Sequence, residues 1–233
     1  MKRSHWCAAI MIGLMAALPA WTDVVGAQAG GQVVGEVKLV GTAPPPRVVE
    51  VNKDTAVCGK EKKIIDVSVG AGNALAGAVV SIPDTMGAQP PTKAVLDQKG
   101  CEFRPEVLVM APGELDIRNS DGILHNIHSY SSINSPFNMA QPKFRKVISE
   151  EIGKPEIIRV QCDVHSWMHG WLFVTDRPAT VTDSLGAFKL ENVSPGKHKI
   201  EVWHPVLGSQ SKTVDVKPGE TVRVTLELAA TKS

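Results

Sequence analysis

The stretch CDVHSWM at residues 162–168 places Cys162, His165 and Met168 at steps of three. The runs IIRVQ, which precedes it closely, and WLFVT, which follows it, are apolar and β-branched, as is typical of strands. A tight loop between two strands can fold a thiolate, an imidazole and a thioether around one point. We therefore predict a metal-binding loop at this position.

A second imidazole has to come from elsewhere, and residues 119–128 offer His125 and His128. Two histidines, one thiolate and a weak axial methionine are the ligand set of blue-copper sites. In an extended chain His125 and His128 point to opposite faces, so they are not expected to bind the same metal. His125 directly follows a turn and is the predicted ligand, while a contribution from His128 or Glu106 stays open.

The two segments together resemble the copper-binding motifs of cupredoxins, closest to the amicyanin and plastocyanin-like members. The resemblance covers about residues 99–176 and rests on Asn119 at a strand end, His125-Asn126, and the short Cys-x-x-His-x-x-Met spacing. It implies a Greek-key β-sandwich that binds one type 1 copper. The implied ligands are His125, Cys162, His165 and Met168.

The same resemblance implies roles for residues around the metal. The Asn126 amide would tie the two ligand loops together, and His165 would lie near the surface as the port for electrons. The chain departs from the short-loop relatives at Ser166, where they tend to have proline. It also has a Ser/Asn/Pro-rich insert at 131–143, which we interpret as a long loop with at most one helical turn.

Short Val- and Ile-rich runs recur about every ten residues along the chain, separated by Gly- and Pro-rich turns. In TVRVTLEL at 221–228 the apolar side chains alternate and share one face. This pattern predicts an all-β protein built from sandwiches or barrels. The expected divisions are a signal peptide at 1–27, an N-terminal β region at 28–98, a cupredoxin-like domain at 99–176 and a small C-terminal β-sandwich at 177–233.

The C-terminal portion, about 178–229, is similar to the carboxypeptidase regulatory-like (transthyretin-like) sandwich. The turn TDSLGAF at 182–188 and the run PGKHKIEV at 195–202 carry this similarity, which implies structural or interaction work without peptidase activity. About fifty-five residues are few for an independent core. Two alternatives stay open: a compact sandwich packed on its neighbour, or one completed by N-terminal strands near 35–37 and 76–80.

The chain start indicates export. Lys2 and Arg3 precede an apolar run of about a dozen residues, and small residues follow at 25–29, as in a signal peptide. The mature protein is then expected in the periplasm or secreted, with no membrane span after cleavage. Loss of residues 1–27 leaves 23 basic and 23 acidic residues, and this balance argues against a nucleic-acid partner.

The four cysteines divide according to these expectations. Cys7 leaves with the signal peptide, and Cys162 as a thiolate ligand cannot form a disulfide. Cys58 and Cys101 remain, and an oxidising compartment favours their pairing. Such a bridge would link the N-terminal β region to the copper-binding part.

The function predicted from these features is an exported one-electron carrier with one type 1 copper. Such a site has no open position for a substrate, so no enzymatic turnover is expected, and an oxidase or nitrite reductase would need a second histidine cluster for a catalytic copper. Its partner would be a redox protein, a cytochrome or a dehydrogenase. Two roles stay open for Trp167, Trp171 and Phe173: they pack as core beneath the site, or they form an apolar patch around His165 on which the partner docks. Copper capture or delivery is one alternative, and an envelope interaction module with a vestigial metal site is another.

Overall fold

The computed structural model describes residues 29–230, in which nearly all regular structure is β-strand. The predicted signal peptide lies outside the described residues. The strands are β1 (Gly31–Val40), β2 (Arg47–Glu50), β3 (Glu61–Ile64), β4 (Val79–Ser81), β5 (Lys93–Gln98), β6 (Phe103–Arg104), β7 (Val107–Met110), β8 (Gly113–Asn119), β9 (His125–Tyr130), β10 (Asn138–Gln141), β11 (Val147–Ile152), β12 (Glu156–Gln161), β13 (His169–Val174), β14 (Ala179–Val181), β15 (Ala187–Val193), β16 (Gly196–His204), β17 (Gly208–Val216) and β18 (Thr221–Ala229). One helical turn, α1 (Thr55–Cys58), and a 3-10 turn at Ala71–Asn73 complete the regular elements of the described range. The predicted all-β class is confirmed.

Two separate hydrophobic cores divide these strands into two sandwiches. The first, here called the site sandwich, has sheets in the orders β10-β9-β12-β13-β7 and β11-β8-β5-β6. Its core includes Leu96, Ile117, Ile127 and Leu172, which are fully buried between the sheets. Ile117 and Ile127 alternate with polar neighbours along their strands, whereas Leu172 lies between Trp171 and Phe173.

The second, the flanking sandwich, has sheets in the orders β15-β1-β18 and β14-β4-β16-β17. Strand β1 lies between β15 and β18 and pairs in parallel with β18 over its full length. Strand β4 lies between β14 and β16. N-terminal strands therefore complete the C-terminal sandwich, which settles the alternative that the sequence left open.

The boundary expected at residue 99 has to move toward the N-terminus. Strand β5 lies inside the second sheet of the site sandwich, parallel to β8 and antiparallel to β6. Its alternate residues Ala94, Leu96 and Gln98 are buried, so the site sandwich begins at Lys93.

A hairpin of β2 and β3 packs on one end of the site sandwich and carries α1 in its connection. We call residues 47–64 the cap. Val49, Val51, Cys58 and Ile64 of the cap contact the core of the site sandwich. The pairing of β2 with β3 ends where Arg47 lies opposite Ile64.

The insert at 131–143 also differs from the expected long loop. Its second half forms β10, which pairs with β9 at the sheet edge. Its first half is a turn held by Glu156, whose carboxylate accepts hydrogen bonds from the backbone N–H groups of Ser132, Ile133 and Asn134. Burial alone raises the pKa of Glu156, but these and the Ser131 bonds lower it well below the usual range.

Aromatic side chains join the two sandwiches. Trp203 of β16 packs edge-on against Trp171 at 5.7 Å between ring centroids, and Phe173 lies at the same distance from Trp203. Trp171 and Phe173 therefore belong to the contact between sandwiches, rather than to a core beneath the site or to a docking patch. No helix within residues 29–230 has the length and apolar character needed to cross a membrane.

Candidate metal centre

The side chains predicted as ligands meet at one end of the site sandwich. Strands β9 and β12 are antiparallel neighbours, with Gln161 opposite His128. The start of β9 therefore lies beside the end of β12, and His125 faces the loop that Cys162 opens. The first residue of β9, His125, and the loop at 162–168 supply the donor atoms because strand pairing brings the two segments together.

Three donor atoms converge in the protein interior. Nδ1 of His125 and Nδ1 of His165 are 3.0 Å apart, and Sγ of Cys162 is 3.8 Å from Nδ1 of His165. Ligand atoms of these three residues all lie within 4.8 Å of one another. Their exposed fractions are 0, 0 and 1%. A thiol and two imidazoles so close together in an apolar interior are within reach of a single metal ion.

Two carboxylates fix the orientation of the two imidazoles. Nε2 of His125 is 2.9 Å from Oδ2 of Asp121, and Nε2 of His165 is 2.9 Å from Oδ2 of Asp54. A neutral imidazole donates from the nitrogen that faces a carboxylate, so we assign the proton of each ring to Nε2. Both Nδ1 atoms then direct lone pairs at each other across 3.0 Å, an arrangement that a bound cation stabilises.

The electrostatic environment keeps the His125 ring available as a ligand. Burial lowers the pKa of His125, and its bond to Asp121 only partly opposes this. Burial would raise the pKa of Asp121, but the N–H groups of Cys101 and Gly100 and the His125 ring lower it. Asp121 is thus an anion beside a neutral imidazole, which is the protonation state that metal ligation by nitrogen requires.

Cys162 is the cysteine of the described range outside the disulfide. The backbone N–H of Asn126 approaches its sulfur at 3.5 Å and donates to it. The side-chain oxygen of Asn126 accepts from the backbone N–H of Asp163, and its Nδ2 donates to Asn138 at 2.6 Å. Asn126 therefore links the start of β9 to the loop after β12.

The loop at 162–168 is closed by its own backbone. The N–H of Cys162 donates to the carbonyl of Met168, and the N–H of Met168 donates to the carbonyl of His165. These bonds hold the loop although Ser166 stands where the resemblance implies a proline. Met168 is 1% exposed and belongs to the same core as Cys162.

The position of His165 differs from the implied surface port. The ring is fully buried, because the cap lies over it and Asp54 occupies its outward nitrogen. Trp167 covers another side at 5.2 Å between ring centroids and donates from Nε1 to the carbonyl of Cys101. The cap, and not the insert at 131–143, is what covers the site.

The predicted disulfide between Cys58 and Cys101 is present and attaches the cap to the site sandwich. Cys58 ends α1, four residues after Asp54. Cys101 donates its N–H to Asp121 and accepts from Trp167 through its carbonyl. Asp54 and Asp121, whose carboxylates contact the two imidazoles, are therefore each hydrogen-bonded to one cysteine of this disulfide.

The residues whose contribution was open lie outside the donor cluster. His128 bonds the Asp163 carboxylate at 3.1 Å and stacks on Tyr130 at the surface. Glu106 pairs with His169 at 3.4 Å, and this bond, more than the opposing effect of burial, raises the pKa of His169.

Asp54 and Asp121 were not among the site residues expected from the sequence. Asp121 lies in the turn before His125, where only its side-chain bond distinguishes it from an ordinary turn residue. Asp54 is far from the ligands in sequence, and the one signal pointing to it was its closeness to Cys58 in a predicted disulfide. Neither position carries a motif of its own.

No protein-family model matches the chain, and no curated protein matches it. Among solved structures the chain is similar to a purple cupredoxin from Nitrosopumilus maritimus, at 18% identity over 35% of this chain and 99% of that one, with a TM-score of 0.29. It is also similar to a Cu(I) mutant amicyanin, at 14% identity over 41% of this chain and 98% of that one, with a TM-score of 0.32. A copper-containing nitrite reductase from Thermus scotoductus matches at 14% identity over 60% of this chain and 28% of that one, with a TM-score of 0.31. All three TM-scores are below 0.5, and the chemistry of the site follows from its side chains alone.

Proposed function

We propose that the protein is a one-electron carrier that binds a single type 1 copper ion. The observation that carries this proposal is the convergence of two imidazole Nδ1 atoms and one thiol sulfur in a buried, preorganised cluster. When bound, copper supplies a one-electron couple between Cu(II) and Cu(I), and a thiolate with two imidazoles suits both states.

The protein's contribution is to hold the donors in one arrangement. Asp121 and Asp54 fix the two rings, the Asn126 N–H stabilises the thiolate of Cys162, and the backbone bonds of the 162–168 loop keep its ends closed. A rigid donor set changes little between oxidation states, which favours fast electron transfer. Met168, buried in the same core as Cys162, would supply the fourth and weak ligand.

Burial of the donors supports a carrier over the alternatives of an enzyme or a delivery protein. His125, Cys162 and His165 are at most 1% exposed, so a substrate has no access to the metal position. The same burial, with the cap held by a disulfide, hinders release of the ion to another protein. We therefore propose that the copper stays bound while electrons are exchanged with a redox partner protein.

We also propose that the protein works outside the cytoplasm. The Cys58–Cys101 disulfide supports an oxidising compartment, and the basic and apolar chain start supports export. The flanking sandwich is proposed to be of the carboxypeptidase regulatory-like type, with a structural or interaction role. Its support is the turn at 182–188, where the Asp183 carboxylate accepts the N–H groups of Leu185 and Ala187.

The test is the optical and electron-paramagnetic spectrum of the copper-loaded protein. We expect an intense thiolate-to-copper band in the visible range, with one copper per chain. The band should disappear in Cys162→Ala and His125→Ala. It should persist in the control His128→Ala, which removes a histidine of the same strand from outside the donor cluster. A colourless copper site in the unmodified protein would refute the proposal.

A further inference from the structure

Resting on the copper site proposed above, we propose that Asp54 is a positioning residue for that site. By accepting the Nε2–H of His165, its carboxylate aims Nδ1 of this ring at the metal and favours Cu(II) over Cu(I). The cap thus carries a functional group of the metal centre and is more than a cover.

The hydrogen bond is the first support. Oδ2 of Asp54 lies 2.9 Å from Nε2 of His165, whose ring is fully buried. A buried N–H needs an acceptor, and Asp54 is the acceptor that the structure gives to this nitrogen. Removing the carboxylate would leave the ring free to rotate or to exchange its tautomer, and either change withdraws Nδ1 from the metal.

The backbone of Asp54 is the second support. Its φ of 53° and ψ of 35° lie in the left-handed region, which residues other than glycine seldom adopt. Its carbonyl accepts the N–H groups of Val57 and Cys58, each at 2.9 Å, and Cys58 is covalently joined to Cys101. The cap therefore holds this residue in a disfavoured conformation that directs its carboxylate onto His165.

The distribution of charge distinguishes Asp54 from Asp121. Asp121 shares its negative charge among the N–H groups of Gly100 and Cys101 and the ring of His125. The structure gives the Asp54 carboxylate a single side-chain partner, which is His165. A carboxylate attracts a doubly charged ion more strongly than a singly charged one at the same distance. Asp54 should therefore stabilise Cu(II) more than Cu(I).

The experiment compares the full chain with three variants that separate charge from hydrogen bonding. Asp54→Asn keeps an acceptor oxygen and removes the charge, whereas Asp54→Ala removes both. The matched control Glu50→Gln removes one negative charge from an exposed position of the same hairpin. Mass spectrometry confirms the disulfide in each variant, and thermal unfolding confirms that each one folds.

Three quantities are measured: the affinity for Cu(II) and Cu(I), the reduction potential, and the exchange of the His165 Nε2–H with solvent in the Cu(I) form. For Asp54→Ala we expect a loss of about 10- to 100-fold in Cu(II) affinity, a smaller loss for Cu(I), a higher potential and fast N–H exchange. For Asp54→Asn we expect a raised potential with exchange still slow. Glu50→Gln should match the unmodified protein in all three.

Titration with Zn²⁺ separates this inference from the proposed function. A protein that forms no coloured copper site, yet loses about tenfold or more in Zn²⁺ affinity on Asp54→Ala, would refute the electron carrier and support the positioning role. Unchanged metal affinity, potential and N–H exchange in Asp54→Ala, with the coloured site intact, would overturn the positioning role and leave the carrier standing.

Discussion

Removing the Cys58–Cys101 bridge tests how much of the site sandwich depends on its cap. The perturbation is the double variant Cys58→Ala/Cys101→Ala in the metal-free protein. The bridge closes a segment with a sequence separation of 43 residues. In the chain-entropy treatment a loop of that length stabilises the folded state by about 4 kcal/mol, because it restricts the unfolded chain.

The assay is urea unfolding at pH 7, followed by circular dichroism and by tryptophan fluorescence. Trp167 donates to the carbonyl of Cys101, so its emission reports on the region of the bridge. The unmodified protein treated with a reductant is the matched control, because it loses the bridge and keeps both sulfur atoms in the core. We expect both samples to lose about 4 kcal/mol in the free energy of unfolding of the site sandwich.

A loss below about 1 kcal/mol in both samples would refute the reasoning, since it would mean that the cap and the sandwich associate equally well without the covalent link. A large loss in the double variant alone would assign the stabilisation to packing of the sulfur atoms and would equally contradict the loop-closure account.

Two further predictions concern the flanking sandwich. Burial lowers the pKa of His204 to about 4 from 6.5, so between these values the unfolded chain takes up a proton that the folded chain refuses. The free energy of unfolding should therefore fall as the pH drops through this window, by roughly 2 kcal/mol at pH 5. The urea midpoints measured at pH 7 and pH 5 should differ less in His204→Gln than in the unmodified protein. An equal pH dependence in both proteins would contradict this. In Gly35→Ala the new Cβ would lie 1.8 Å from the carbonyl oxygen of Val224, so we expect a loss of about 3 kcal/mol or more in thermal or urea unfolding. The control Gly153→Ala adds a methyl group in open space and should change stability by less than about 0.5 kcal/mol; similar losses in both variants would show that the close approach at Gly35 relaxes without cost.

The sequence predicted local features well and long-range ones poorly. Cys162, His165 and Met168 lie within seven residues, so their spacing alone indicated a loop that converges on one point. Strands such as β12 and β18 were visible because alternating or apolar runs end at clear turns. The strand β9 lacks this signal, because its sequence HNIHSY combines buried polar side chains with a single aliphatic one.

What could not be predicted depends on contacts between distant parts of the chain. Asp54 reaches His165 across 111 positions, and nothing in the residues around it marks such a partner. The burial of His165 follows from that contact, so the surface port implied by the resemblance could be corrected only in three dimensions. Whether N-terminal strands complete the C-terminal sandwich could not be decided from the sequence for the same reason. Strand β1 pairs in parallel with β18, which lies at the opposite end of the described chain.

The path of the chain through the two sandwiches has a consequence for the order in which they form during folding. Residues 93–174, a continuous stretch, supply every strand of the site sandwich, whereas the flanking sandwich needs β1 and cannot close its sheet until β18 is in place. Pairing between such distant segments is slow, while the strands of the site sandwich find partners nearby. We expect the site sandwich and its cap to be assembled and able to bind copper before β1 pairs with β18 in the flanking sandwich.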